Sequence, residues 1–370
     1  MPHSTTQTWL QKLDEQHADE SPVNVDVDWM DPSYSKNLPI RPNDQTSNNL
    51  WVNQQMSHPE NKEMVLQVCK DLKTQGWKAA YTRIAVNMCK NNIGNIKGRV
   101  LLQVYPNEAY DTQAVLASAR AYAKEFERVG IAQDRYCIKI PCTGPALGAC
   151  PTLKGEGIAT LGTALFGLPQ AIAASQAKCL YISPYFNEVK AHDDLKLWPD
   201  VKDPATQHTM SARTMQILET YARLYRETGQ EQPLLKQASF ITAQEAMAAG
   251  EHGCHSATIS PQVLDELAKL QYDGTQQPGE GKPKPSHVYA NYQTPDRLVK
   301  VSRVDPLLAA DIDAKLASTE IDYLANGGEE LEKAINADPV TKQRLADALE
   351  LFTGGLLESK AKIEAWFEEV

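Results

Sequence analysis

Lys139 lies in the run Arg135–Pro141, RYCIKIP. Side chains alternate faces along a strand. Tyr136, Ile138 and Ile140 therefore share one face, and Cys137 and Lys139 share the other. Lysine is among the residues least often fully buried. Burial lowers a lysine pKa, and a neutral amine is a nucleophile. The chemistry this suggests is attack on a carbonyl to give a Schiff base. Other runs break in the same way. Asn24, Asp26 and Asp28 oppose Val23, Val25 and Val27, and Gln103 opposes Val100, Leu102 and Val104. Tyr181, Ser183 and Tyr185 oppose Leu180 and Ile182; Thr163 falls less regularly between Leu161 and Leu165. A carboxylate, an amide and a phenol are groups that can move or orient protons beside an amine. Two plainer readings stay open. Lys139 could snorkel to water from an edge strand. Asp26 or Asp31 could be the inward acid, with Asp28 in a turn or cap.

Positioning such a set requires a sheet whose strands all present one face to one place. Strands are expected at Val23–Trp29, Gln45–Asn48, Arg99–Tyr105, Arg135–Pro141, Thr160–Phe166, Cys179–Tyr185, Leu235–Phe240 and Ser256–Ser260. Amphipathic stretches lie between them at Lys62–Lys73, Thr112–Val129, Leu168–Ala177, Ser211–Glu227 and Ala243–Ala249. This alternation predicts an α/β fold with a parallel sheet. About eight such units fit a (β/α)₈ barrel, with inward side chains at its centre. The expected divisions are a polar lead-in at 1–22, perturbed only by a short helix near Trp9–His17, and the barrel at 23–270. A Pro- and Gly-containing loop at 271–305 could close as a lid or lie slack. Helices at 306–370 should dock through Leu345, Leu349 and Phe352, with Gly354–Gly355 ending that helix.

Composition narrows the classes. The 370-residue chain has a net charge of −10. That balance argues against a general nucleic-acid or anionic-membrane binder, which needs a basic face. The seven cysteines show no metal-type spacing and read as reduced thiols. No apolar signal-type core occurs in Met1–Glu20, and no run is long enough to span a bilayer, so the expected location is cytoplasmic. His192, His208, His252 and His255 form no ligand motif, and no metal is assigned.

The stretch Ile138–Thr143, IKIPCT, resembles the Schiff-base strand of the transaldolase and fructose-6-phosphate aldolase family. Leu153–Gly167, Ile182–Tyr185, Gln237–Phe240 and Thr46–Asn49 extend the resemblance, which runs from about Val23 to Leu270. It implies a barrel enzyme that makes or breaks a carbon–carbon bond next to a ketone. Lys139 would be the nucleophile, and Asp28 would assist proton transfer at the substrate hydroxyl during bond cleavage. Asn48 would bind a substrate hydroxyl, Thr163 would hold the catalytic water, and Ser183 and Ser239 would line the donor. A ketone donor and an aldehyde acceptor would be the partners, with no metal or organic cofactor required and a homodimer left open.

Departures from the family pattern are informative. Gln103 stands where transaldolases have Glu, and Tyr185 where they usually have Phe; both resemble the fructose-6-phosphate aldolase choices. A Gln can orient water but not ionise, so Tyr185 would act as acid or base. Glu188 and Ile241 replace the family's basic residues, which makes a phosphorylated substrate doubtful unless Lys190 or Arg213 compensates. The expected function is a class I aldolase on a non-phosphorylated or atypical substrate. The alternatives are an authentic transaldolase and a non-catalytic metabolite-binding barrel.

Overall fold

The structure is a computed structural model that describes residues 7–15, 23–275, 287–308 and 317–370. The described residues contain seven short strands: β1 (Asn24–Val27), β2 (Val100–Gln103), β3 (Tyr136–Pro141), β4 (Thr160–Leu165), β5 (Tyr181–Pro184), β6 (Leu234–Gln237) and β7 (Ser256–Ile259). All pair in parallel, in the order β1-β7-β6-β5-β4-β3-β2. That order leaves β1 and β2 as edges, and Gln45 joins them. It bridges Val27 on one side and Val100 on the other, both in parallel sense. Thr46 N donates to Val27 O at 2.9 Å, and Leu101 N donates to Gln45 O at 2.9 Å. The sheet is therefore a closed parallel barrel of the (β/α)₈ pattern, with its second strand reduced to one bridging residue.

The expected strand Gln45–Asn48 is cut short for a local reason. Asn48 Oδ1 accepts from the backbone N–H groups of Leu50 and Trp51, so Asn48 caps the helix Asn49–Met56 instead of extending the sheet. Ser47 keeps one tie to the barrel by donating from Oγ to Leu101 O at 2.7 Å.

Two apolar groups reflect the two faces of the strands. Val25, Val27, Val100, Leu102, Ile138 and Ile140 belong to the large cluster shared with the helices. Leu101, Cys137, Leu161 and Tyr181 form a separate cluster inside the barrel. β4 deviates, and its irregular sequence pattern has a cause. Its register with β5 shifts between Gly162 and Leu165, where Ala164 takes a left-handed φ of 51°.

Helices occur at Lys62–Leu72, Thr112–Arg128, Leu168–Gln176, Thr209–Thr228 and Ala243–His252, close to the expected stretches. Trp77–Asn92 and Pro261–Lys269 are further helices outside those stretches. Trp9–Glu15 is helical and buries Trp9, Leu10 and Leu13. The segment after the barrel is described at 287–308, and 276–286 lies outside the described residues. Its described part follows the outer helix Thr209–Thr228: Gln216 Nε2 donates to Ser302 O at 3.1 Å, and Arg213 Nε to Asp305 Oδ2 at 2.9 Å.

The largest departure is a single helix from Pro339 to Glu369. Gly354–Gly355, expected to end a helix, lie inside it. Gly355 is there because the helix crosses Asn49–Met56 at that point. A Cβ on Gly355 would stand 2.9 Å from Leu50 Cα. Asn53 ties the crossing together: its Nδ2 donates to Glu358 Oε2 at 2.7 Å, and its Oδ1 accepts from Lys362 Nζ at 2.9 Å. The long helix also touches the end of β4, the turn Pro106–Glu108 after β2 and the turn Val189–His192 after β5. It thus crosses the rim formed by the strands' C-terminal ends, the face on which barrel enzymes place their sites.

Candidate active site

Lys139 faces Gln103 of β2 and Leu161 of β4 in register. It is 5% exposed, and its Nζ donates to Ser47 O at 2.8 Å. Burial lowers its pKa, against the opposing pull of Asp28 and the smaller effect of Cys137. Among the described residues no carboxylate forms an ion pair with it.

The barrel contains a second buried lysine that the sequence analysis missed. Lys236 of β6 is 1% exposed. Its Nζ lies 2.8 Å from Asp26 Oδ2 and 2.8 Å from Asp44 Oδ2, and it donates to Ser256 Oγ at 3.0 Å. Burial alone would lower its pKa, but the two carboxylates raise it above the ordinary lysine range. Burial pushes Asp26 up to about 7, with Lys236 opposing and Asp44 adding. Lys236 is thus a locked cation, whereas Lys139 is an amine whose surroundings favour its neutral form. The signal for Lys236 was the alternation already used for Lys139.

This arrangement sorts the three aspartates. Asp26 is held by Lys236. Asp31 caps the short helix Pro32–Asn37 by accepting from Ser33 N at 2.8 Å. Asp28, just beyond β1, accepts from Thr46 Oγ1 at 2.6 Å and Trp51 Nε1 at 3.0 Å. Trp51 meets Trp29 edge to face at 5.1 Å.

Thr163 and Tyr185 come together, with Oγ1 and Oη 3.2 Å apart. Burial pushes the Tyr185 phenol well above its usual range; the Thr163 hydrogen bond opposes this, and Asp28 and Cys142 add to it. The phenol is therefore held protonated. Gln103 is 2% exposed, and neither side-chain Oε1 nor Nε2 has a protein partner. A buried amide in that state is suited to a water or a substrate oxygen, since it can both donate and accept.

Asn48 commits its Oδ1 to the helix cap, which leaves its Nδ2 to donate elsewhere. Ser183 in β5 is 3% exposed, and its hydroxyl makes no hydrogen bond among the described residues. Ser239 reaches the same rim in a left-handed conformation, φ 68°. Its Oγ donates to Asn187 O at 2.9 Å and lies 2.8 Å from His192 Nε2. Ser239 thereby orients His192, an exposed side chain at the rim. His192 carried no motif that sequence reasoning could use.

The two cations considered as replacements both have ionic partners, although Arg213 keeps a buried Nη2 without a protein partner. Lys190 pairs with Asp347 at 2.6 Å, and Arg213 pairs with Asp305 at 2.9 Å and Asp338 at 2.8 Å. Among the described residues no group of three or more His, Cys, Asp or Glu is placed to hold a metal ion.

The family described as Transaldolase/Fructose-6-phosphate aldolase matches residues 24–356. The chain belongs to this family. Relatives named "Transaldolase" include one from Rhizobium rhizogenes, 33% identical over 191 residues, covering 52% of this chain and 57% of that protein. One from Synechocystis sp. is 33% identical over 199 residues, covering 53% of this chain and 48% of that protein. One from Acidobacterium capsulatum is 29% identical over 240 residues, covering 62% and 68%. The match thus spans about half the length of the first two relatives. The family match extends past the barrel into the long helix, further than the motifs near Lys139 alone. No helix among the described residues is long and apolar enough to cross a membrane.

Proposed function

We propose that the protein is a Schiff-base aldolase that forms or cleaves a carbon–carbon bond next to a ketone, using Lys139. The observation that carries this reading is the contrast between the two buried lysines. Lys236 has two carboxylates at 2.8 Å, whereas Lys139 has only a carbonyl partner and a lowered pKa.

The neutral Lys139 amine adds to the ketone carbonyl to give a carbinolamine. Loss of water, whose oxygen comes from the ketone, gives an iminium. Tyr185, held protonated beside Thr163, is the acid that assists this departure, and Gln103 and Thr163 orient the water. Asp28 accepts the proton of the substrate hydroxyl as the adjacent carbon–carbon bond breaks. The bonding electrons move into the iminium, an aldehyde leaves and an enamine remains. Protonation and hydrolysis of the enamine complete cleavage, whereas its addition to a second aldehyde completes transfer. Asn48 Nδ2 and the Ser183 hydroxyl are the donors that hold the ketone's own hydroxyls. The proposed setting is the cytoplasm, in carbohydrate metabolism.

Borohydride trapping with dihydroxyacetone and a panel of non-phosphorylated ketones, followed by peptide mass mapping, tests this. A reduced adduct on Lys139 that is absent from Lys139→Met is the expected result. No adduct with any ketone in folded protein would put the metabolite-binding barrel in its place. The relatives' printed name favours one further reading, transfer of a dihydroxyacetone unit between sugar phosphates. Faster turnover of fructose 6-phosphate plus erythrose 4-phosphate than of dihydroxyacetone plus an aldehyde would establish it.

A further inference from the structure

Asp28 is held at both carboxylate oxygens. Thr46 Oγ1 donates to Oδ1 at 2.6 Å, and the Trp51 indole donates from Nε1 to Oδ2 at 3.0 Å. The charge of this carboxylate acts on both Lys139 and Tyr185, so it faces the space that contains them. Its hydrogen bond therefore brings the Trp51 indole to the edge of that space. Trp29, the residue after Asp28, meets Trp51 edge to face, with ring centroids 5.1 Å apart and planes at 79°. Both indoles pack on the apolar core, yet both are only partly buried. The bond-making chemistry asks for one N–H from this pair, which a much smaller donor could supply. Partly open aromatic surface beside a few converging polar groups is what small-molecule sites present.

We infer that Trp51 and Trp29 wall the acceptor side of the mouth, and that the acceptor aldehyde carries a flat apolar group, of aryl type, that lies against them. The inference rests on the Schiff-base reading of the same site. In the cleavage direction, the carbon whose hydroxyl gives its proton to Asp28 becomes the aldehyde carbon. The substituent on that carbon is the part of the substrate that continues past Asp28, toward Trp51. An aryl group there buries apolar area and gains aromatic contact with two rings set in a corner. A short polyhydroxylated chain has less apolar surface to bury and brings hydroxyls that must find partners. Trp51 is also a positioning residue, because its N–H fixes the direction of the Asp28 carboxylate. Recognition of the acceptor and transfer of its proton thus share one side chain.

The test fixes dihydroxyacetone as donor and compares phenylacetaldehyde with glyceraldehyde. The parent protein should favour phenylacetaldehyde in kcat/KM by about tenfold or more. Trp29→Leu removes one wall without touching the Trp51 N–H, and should shrink that preference by about three- to tenfold, chiefly through KM. Trp51→Phe keeps a ring but loses the N–H, so kcat should fall for both aldehydes while their ratio changes less than in Trp29→Leu. Equal or better use of glyceraldehyde by the parent overturns the proposal, as does an unchanged ratio in Trp29→Leu. Trapping of dihydroxyacetone on Lys139 of the parent is measured first, so failure of the Schiff base is seen separately. Should trapping fail, saturation-transfer NMR with 2-phenylethanol and glycerol decides the binding preference. Transfer to 2-phenylethanol that is no stronger than to glycerol in the parent, or that persists undiminished in Trp29→Leu, would then overturn it.

Discussion

A buried amine without an ionic partner should titrate in a way that records its burial. The Lys139 pKa lies below the ordinary 10.5. The rate of adduct formation should therefore rise as pH climbs through the lowered value and level off once the amine is neutral. Stability has the same origin. Between the lowered value and 10.5 the unfolded chain binds a proton that the native chain does not, so Lys139 makes stability rise with pH there. Below the lowered value the burial penalty is present in full. Lys139→Met should abolish the adduct and flatten that rise, as read from urea midpoints across the alkaline range. Tyr185→Phe keeps the ring but removes the proton, and turnover should fall about 10²- to 10⁴-fold, measured as aldehyde release. Side chains of this kind were legible because they break a two-residue alternation. Lys236 obeys the same rule and was legible in principle. The pairing of Lys190 with Asp347 was not, since a partner from a distant helix leaves no periodic trace.

Among elements, β6 and the helix crossing allow sharp tests. Lys236→Met strands Asp26 and Asp44 inside the barrel and should destabilise it by about 3–5 kcal/mol in urea unfolding. Lys139→Met leaves no such carboxylates, so a comparable loss of stability there would refute the division of labour between the two lysines. Gly354 and Gly355 are neighbours in one helix with different surroundings. A Cβ on Gly354 meets nothing within 4 Å, whereas one on Gly355 meets the backbone of Leu50. Gly354→Ala should stabilise by about 0.5–1 kcal/mol. Gly355→Ala should destabilise by about 1–3 kcal/mol. Thermal unfolding of both variants checks the pair. The seven paired strands could be placed to within three residues at each end, because alternation and punctuation agree. Gln45 was blurred because a helix cap competes for Asn48. The glycine pair read as a stop because close approach between helices is a tertiary fact.

At the scale of the molecule, the mouth joins residues far apart in sequence. Asn53 connects the helix Asn49–Met56 to the long helix, and that same short helix begins next to Ser47, whose carbonyl holds Lys139. Asn53→Ala should cost about 1–3 kcal/mol in unfolding free energy. It should also raise KM for the acceptor, a readout that separates it from a purely local loss. The barrel and its family were legible in the sequence, but the long helix's path across the rim was not. That path is set by tertiary contacts along the whole helix, among them the close approach of Gly355 to Leu50 and the ties of Asn53. It also has a consequence for biosynthesis. Chains emerge from the ribosome at about 5–20 residues per second, so β7 is available several seconds before Glu358 and Lys362. During that interval a nascent barrel already carries its buried amine, while the helix that crosses its rim has yet to be made.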